Sequence, residues 1–313
     1  MDLLSDILSR MQLSGTLYFR TSFTSPWSIA VPSYRKVARF HLAHKGRCFI
    51  RVEGEDNPIL LEQGDLAIIM RGAAHTLYCD PETENQAVML DAVLEQSGFT
   101  GKGTLVYGEY GTNHETQLVC GHFAFSEQAQ NLLIDALPSH IHVKNYGAHS
   151  AQWMENTLKV IGSEAGMDQM GSDLIAIKMS EIIFAQALRA YLDNLDAEVP
   201  VLAGFADKRI AKSLSAIHED PGQNWMLETL ASISGMSRTA FTKRFSECMG
   251  MTPLNYVTHW RMELAREELA NTNTSIIEIA EKVGYKSEAA FSRVFKKYHD
   301  SAPATYRRSM QLN

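Results

Sequence analysis

Between residues 207 and 308 one pattern occurs twice, and this repeat limits the fold more than any other feature of the chain. The first copy reads Leu230-Ala231, Gly235, Phe241, Phe245, Pro253, Tyr256. The second reads Ile279-Ala280, Gly284, Phe291, Phe295, Pro303, Tyr306. The spacing agrees from Ala to Gly and again from the first Phe to the Tyr, with one extra residue between Gly284 and Phe291. A repeat of this length is one supersecondary unit used twice.

Each copy predicts two helices joined by a turn. Leu227, Leu230 and Ala231 share one helical face, as do Ile276, Ile279, Ala280 and Val283 in the second copy. Gly235 and Gly284 then supply the positive φ that ends the helix and turns the chain. Ser237 and Ser287 are suitable N-caps for the second helices, the first of which is expected over Arg238 to Met249. Glu288 falls in a first turn, where a carboxylate suits the helix dipole. The i,i+4 pairs Phe241/Phe245 and Phe291/Phe295 are expected to bury against the first helices.

The opposite face of each second helix stays polar and basic. A helix of this kind fits the major groove of B-DNA, where polar side chains reach base edges and cations neutralise phosphates. The candidate contacts are Arg238, Thr239, Thr242 and Lys243 in the first copy, and Lys286, Ser287, Glu288, Ser292 and Arg293 in the second. Arg244 and Lys296 read as phosphate contacts or solvated charges. Pro253 to Leu269 predicts a long helix between the copies, a rigid spacer for two reading heads. The competing reading, a helical bundle with merely solvated basic faces, leaves the matched spacing without a cause.

This stretch resembles the DNA-binding domain of AraC/XylS-type transcriptional regulators. The resemblance is carried by Trp225, Leu230-Ala231, Gly235-Met236-Ser237, Phe241, Phe245, Gly250-Met251-Thr252-Pro253, Tyr256, Arg261, Ala265, Ile279-Ala280, Val283-Gly284-Tyr285, Ser287-Glu288, Phe291-Ser292-Arg293, Phe295-Lys296, Pro303 and Tyr306-Arg307. It covers about the last third of the chain. It implies double-stranded operator DNA as a partner, a homodimer on two half-sites, activation of transcription, and RNA polymerase as a further partner. Asp300 departs from the pattern, which has Gly there. Asp tolerates a left-handed backbone better than most residues, so a small loss of stability is expected.

The charge distribution agrees. The whole chain carries −7, which by itself disfavours nucleic acid. From Asp207 onward there are 15 Lys and Arg against 12 Asp and Glu, so +3; the remainder has 14 against 24, so −10. The positive charge lies in the part that reads as a DNA binder. No apolar run approaches 18 residues and the N-terminus shows no export pattern, so a cytoplasmic protein without membrane contact is expected. Its four Cys form no CxxC pair and are expected to be reduced thiols.

Ahead of the repeat, residues 2–12 predict a short amphipathic helix. Many short strands follow, among them Thr16–Phe19, Trp27–Val31, Val37–Ala43, Cys48–Val52, Leu66–Met70, Ala87–Val93 and Gln117–Phe125, with turn residues between them. This spacing predicts a β-sandwich or small barrel. Gly64 to His75 resembles the second motif of cupin barrels, with Met70 in place of Pro. The first cupin motif is absent in standard form; only His41 and His44 stand near its place. Together with Pro26-Trp27, Phe40-His41 and Cys120-Gly121, the N-terminal half looks like the cupin sensor domain of one AraC-type subgroup.

Four residues of that half are candidate metal ligands: His41, His75, Cys120 and His122. Cys120 and His122 are i,i+2 on a strand and share a face, and a His/Cys set suits Zn²⁺. The alternative is a metal-free set of hydrogen-bonded imidazoles and a core thiol. Cys120 also admits a redox reading, as a thiolate beside a cation. His44, Cys48 and Cys79 are weaker candidates, and His140 and His142 read as a solvated loop. Residues 151–194 are expected to be helical: Trp153, Leu158, Val160 and Ile161 mark one helix, and a second starts at Ser172-Asp173, apolar on two faces and suited to dimerisation.

The expected fold class is α+β: a cupin-like β-barrel sensor over 1–145, a helical dimerisation segment over 146–194, a linker over 195–206, and an all-α double helix-turn-helix domain over 207–310. The expected function is a non-enzymatic DNA-binding regulator whose sensor responds to a small molecule, metal or oxidant. The competing class is a metal-dependent cupin enzyme fused to a DNA-binding domain. It requires a full metal triad and a carboxylate base beside His75, and the sequence supplies neither.

Overall fold

The repeat folds as two helix-turn-helix modules around one long helix. In this computed structural model the described residues are 5, 8, 13–34, 37–101, 103–108, 115–125, 137–144, 170–193 and 202–311. Of the segments expected to be helical, 151–169 lies outside them, and of 2–12 only residues 5 and 8, both helical, lie within them. The chain divides into two compact units, built principally on residues 12–127 with 137–194 and on residues 195–313.

The N-terminal unit holds two sheets. One comprises β1 (Leu13–Thr24), β3 (Val37–Lys45), β6 (Leu66–Ile69), β9 (Thr104–Gly108), β10 (Glu115–Phe125) and β11 (His140–Val143), in the order β11-β6-β3-β10-β1-β9. The other comprises β2 (Ser28–Val31), β4 (Cys48–Val52), β5 (Ile59–Leu61), β7 (His75–Tyr78) and β8 (Val88–Met89), in the order β5-β4-β7-β2-β8. Among the described residues the ladders form these two separate sheets, not one closed cylinder, so the expected barrel is observed as paired sheets. Alternation aims one face of each inward: Cys48, Ile50 and Val52 of β4 are buried while Phe49 and Arg51 are half-buried. Ile29, Ile50 and Leu77 from one sheet share a core with Phe23, Leu105 and Leu118 from the other.

Gly72 explains why the Gly64–His75 turn keeps its glycine although Met70 replaces the expected Pro. Its φ is +59°, and a Cβ there would stand 1.6 Å from the Tyr34 carbonyl oxygen. The turn closes with Tyr34 N–H donating to Gly72 O at 2.9 Å.

Two expectations fail here. Ala87–Val93 is not one strand: only Val88–Met89 pairs, and α1 (Leu90–Ser97) follows. Leu90, Val93 and Leu94 have helical spacing, Val93 is buried, and Gly98 ends the helix in the left-handed conformation. His140 and His142 do not lie in a loop. They belong to β11, whose Ile141 and Val143 are buried at the sheet edge, and His142 Nε2 meets Asp65 Oδ2 at 3.0 Å.

Helix α2 (Ser172–Asp193) packs Ile183, Phe184, Ala187 and Leu188 inward, with the Phe184 ring edge-on to Phe123 at 5.4 Å. Its opposite side exposes Leu174 (61%), Ile175 and Ile182 (41%). The two apolar faces expected of this helix are therefore present, one covered and one open.

In the C-terminal unit, α3 (Leu202–Ala206) occupies part of the expected linker, and Gly204 lies so close to Met249 that a Cβ would overlap its sulfur. Then come α4 (Ile210–Glu219), α5 (Leu227–Ile233), α6 (Arg238–Met249), α7 (Pro253–Asn271), α8 (Ile276–Lys282), α9 (Glu288–His299) and α10 (Pro303–Gln311). The two copies match in detail. Met236 N–H donates to Ala231 O at 2.9 Å, and Tyr285 N–H donates to Ala280 O at 2.8 Å, closing the same turn twice. Phe245 meets Tyr256, and Phe295 meets Tyr306, each with an interplanar angle of 73°.

Candidate DNA interface and effector cavity

The candidate reading helices are α6 and α9. Ser237 Oγ accepts from Ala240 N–H at 3.3 Å and Ser287 Oγ from Ala290 N–H at 3.2 Å, so each helix begins at its expected cap. Phe241, Phe245, Phe291 and Phe295 are fully buried, which fixes the rotation of each helix and turns the polar side outward. Arg238, Thr239 and Lys243 are exposed on α6 with Thr242 half-buried beside them. Lys286, Ser287, Glu288 and Arg293 are exposed at and on α9, with Ser292 half-buried. The structure thus gathers the expected residues of each copy on one open face.

Not all of them are unengaged. Arg238 pairs with Glu228 at 2.9 Å, and Lys243 approaches Glu247 at 3.9 Å. Both pairs are solvent-exposed and so contribute little; a phosphate can replace the carboxylate at small cost. Arg244 is held by Asp207 at 2.9 Å through both Nε and the terminal nitrogen, so it braces the start of α4 rather than reaching outward. Hydrogen bonding to that side chain and to backbone N–H groups holds the Asp207 carboxyl below its ordinary value despite burial.

Arg261 of α7 ties the modules together. It donates to Pro221 O at 2.7 Å and Gln223 O at 2.8 Å, ahead of α5, and lies 5.9 Å from the ring of Tyr285 beyond α8. Any side chain at Gly284 would strike it, since a Cβ there would stand 2.7 Å from the guanidinium. Across the spacer, His218 stacks on Trp260 with centroids 3.7 Å apart and meets the Tyr256 hydroxyl at 2.8 Å. A helix of this length spans about 28 Å, close to the roughly 34 Å between successive major-groove faces.

In the N-terminal unit three of the four candidate metal ligands do meet. His41 is opposite Cys120 in the ladder between β3 and β10, with Nδ1 3.1 Å from Sγ, and its Nε2 is 2.8 Å from Nε2 of His75. His75 Nδ1 lies 3.0 Å from the Ala73 carbonyl, to which it must donate. Its Nε2 then accepts from His41 Nε2–H, and His41 Nδ1 accepts from the Cys120 thiol. Burial pushes the pKa of His75 down to about 4 and that of His41 well below the ordinary value, so both rings are neutral.

This is a chain, not a convergent ligand set. His41 directs its two nitrogens to different partners, and His122 is opposite Arg39 in the ladder between β3 and β10. Among the described residues no group of three or more His, Cys, Asp and Glu is placed to hold a metal. In this structure His41, His75 and Cys120 are arranged to hydrogen-bond one another, and together with His122 they do not present the expected zinc quartet as a ligand set. The surroundings of Cys120 do not favour the thiolate that its redox reading requires. Burial pushes its thiol far above the ordinary value, and the neighbouring imidazole is neutral, so no thiolate is stabilised. His44 is exposed, while Cys48 and Cys79 are buried in the core.

Beside the chain lies a cavity of about 330 Å³. Phe19, Phe23, Leu77, Leu94, Phe99 and Leu105 make apolar walls, and Arg39, His41, Asp91, Cys120 and His122 supply polar atoms. Arg39 and Asp91 were not among the expected site residues. Arg39 had a visible signal: it is two residues before His41 on a strand, hence on the same face. Asp91 had none, because its segment reads as a strand.

The chain matches two family models, "Cupin" over residues 2–193 and "Helix-turn-helix domain" over residues 230–309. A Streptomyces lividans protein described as an AraC-like transcription regulator is 33% identical over 311 residues, covering 98% of both chains. A Streptomyces antibioticus protein of the same description is 32% identical, covering 98% of this chain and 99% of its own. The regulator MtrA of Neisseria gonorrhoeae is 25% identical over 98% of each. The paired sheets and twin reading helices define a DNA-binding regulator with a cupin-type N-terminal domain. The chain belongs to the AraC-type family of transcriptional regulators.

Proposed function

We propose that this regulator is gated by a small effector bound in the N-terminal cavity, and that occupancy alters the affinity of the two reading heads for an operator. The observation that carries this is the apolar cavity with a polar end, set between the sheets of the cupin-type unit. Coupling of this kind requires only that the effector bind one state of the protein more tightly than the other. The domain boundaries follow the sequence: sensor 1–145, helical segment 146–194, linker 195–206 and DNA-binding domain 207–310.

Operator contact is assigned to Arg238, Thr239, Thr242 and Lys243 on α6 and to Lys286, Ser287, Glu288, Ser292 and Arg293 at α9, which share exposed faces. The protein acts as a cytoplasmic homodimer, and the open apolar side of α2 supports that reading. It activates transcription, with RNA polymerase as its partner at the promoter. A catalytic role for the cupin-type unit is disfavoured, because the ring nitrogens of His41 and the Nε2 of His75 are already committed to each other and to Cys120.

Gel-shift titration of an operator selected from random DNA, with and without a metabolite extract, tests the gating. A shift in apparent affinity that disappears when a bulky side chain fills the cavity, as in Leu105→Trp, supports it. Operator affinity indifferent to every fraction contradicts it.

A further inference from the structure

We propose that the cavity takes a compact apolar acid, an aromatic or branched aliphatic carboxylate whose charged end meets Arg39. This rests on the effector reading above and narrows it to one ligand class. Arg39 stands on β3 and lines the cavity. Its Nε is buried and has no hydrogen-bond partner among the described residues. The guanidinium lies over the ring of Tyr34, 4.3 Å from the centroid. Burial pushes the guanidinium down from its ordinary value, and Tyr34, by charge and by a side-chain hydrogen bond, opposes this ahead of Cys120 and Asp91. It is a half-buried cation in the lining of a largely apolar space, with Tyr34 as its hydrogen-bond partner.

A partly buried cation beside apolar walls is relieved by an anion. Among anions, a planar carboxylate matches the fork of the guanidinium with two parallel hydrogen bonds. The remaining walls set the rest of the ligand. Phe19 and Phe99, tilted at 49° with centroids 5.5 Å apart, join Phe23, Leu77, Leu94 and Leu105 around the space. A cavity of about 330 Å³ lies near the lower end of the range for organic ligands, so the skeleton is short. Asp91, also in the lining, disfavours dianions.

Titration calorimetry on the full-length protein tests this with benzoate, 4-ethylbenzoate and cyclohexanecarboxylate, each beside its neutral amide and its amine. At least one acid is expected to bind about tenfold or more tightly than its amide, as hydrogen bonds to a charged group imply. Arg39→Met should erase that preference and Arg39→Lys should keep part of it. The acid-to-amide comparison in the native protein needs no variant, so a misfolded substitution does not leave the question open. Amides that bind as tightly as acids, or amines that bind best, overturn the carboxylate assignment while leaving an effector cavity standing. If no probe of any charge binds, both readings fall.

Discussion

His41 and His75 share a buried hydrogen bond of 2.8 Å, and its consequence is a pH dependence with a definite sign. His75 titrates near 4 in the folded protein, against an ordinary 6.5. The folded state therefore binds fewer protons than the unfolded chain between those values. The stabilisation is fully present above pH 6.5, declines as pH falls towards 4, and levels off below. From His75 alone the loss is about 3 kcal/mol, and His41 adds to it in the same direction. Urea melts at pH 7.5 and 5.0 should show it in the N-terminal unit, and His75→Asn should flatten the dependence. Equal slopes in variant and native protein would place the titration elsewhere. The His–His–Cys contact was legible in the sequence as a cluster, because strand parity puts Cys120 and His122 on one face. Its chemistry was not legible. Whether two imidazoles converge on a metal or bond to each other depends on ring rotation, which parity does not set.

Among the elements, α9 ends differently from α6. Gly250 closes α6 at φ +68°, and Asp300 closes α9 at φ +52°. A Cβ in the left-handed region is strained, and Asp300→Gly should relieve roughly 1 kcal/mol. Thermal unfolding should show a rise with no change in operator affinity, since Asp300 lies at the far end of the helix from Ser287 and Glu288. A fall in stability would mean that the Asp side chain offsets the strain. The helices of this unit were the most legible part of the chain, because caps, turn glycines and paired Phe residues all act within a few residues of sequence. The Ala87–Val93 segment was misread for the opposite reason. Its apolar residues fit either period, and only the packing of Val93, on the inward side of α1, into the core settles it. The edge strand β11 was hidden because its partner, β6, is about 70 residues away.

At the scale of the molecule, the repeat makes one unit with two reading heads, and α2 exposes a face suited to a second copy. Leu174 and Ile182 are exposed on the side of α2 turned away from Phe184 and Ala187, so a charge there should spare the fold. Leu174→Glu with Ile182→Glu should shift sedimentation from dimer to monomer while leaving the melting temperature within a few degrees. A monomeric native protein would refute the assignment of that face. Two heads on a rigid spacer imply that a single chain covers two adjacent major-groove segments, and the heads should be separable. The most direct measurement is DNase I footprinting on a selected operator with native protein, Lys243→Ala and Arg293→Ala. Native protein should protect two blocks about one helical turn apart, with Lys243→Ala weakening only the block under α6 and Arg293→Ala only the block under α9, the latter by roughly tenfold or more. Full protection of both blocks at unchanged protein concentration in both variants would contradict the assignment of α6 and α9 as the reading helices.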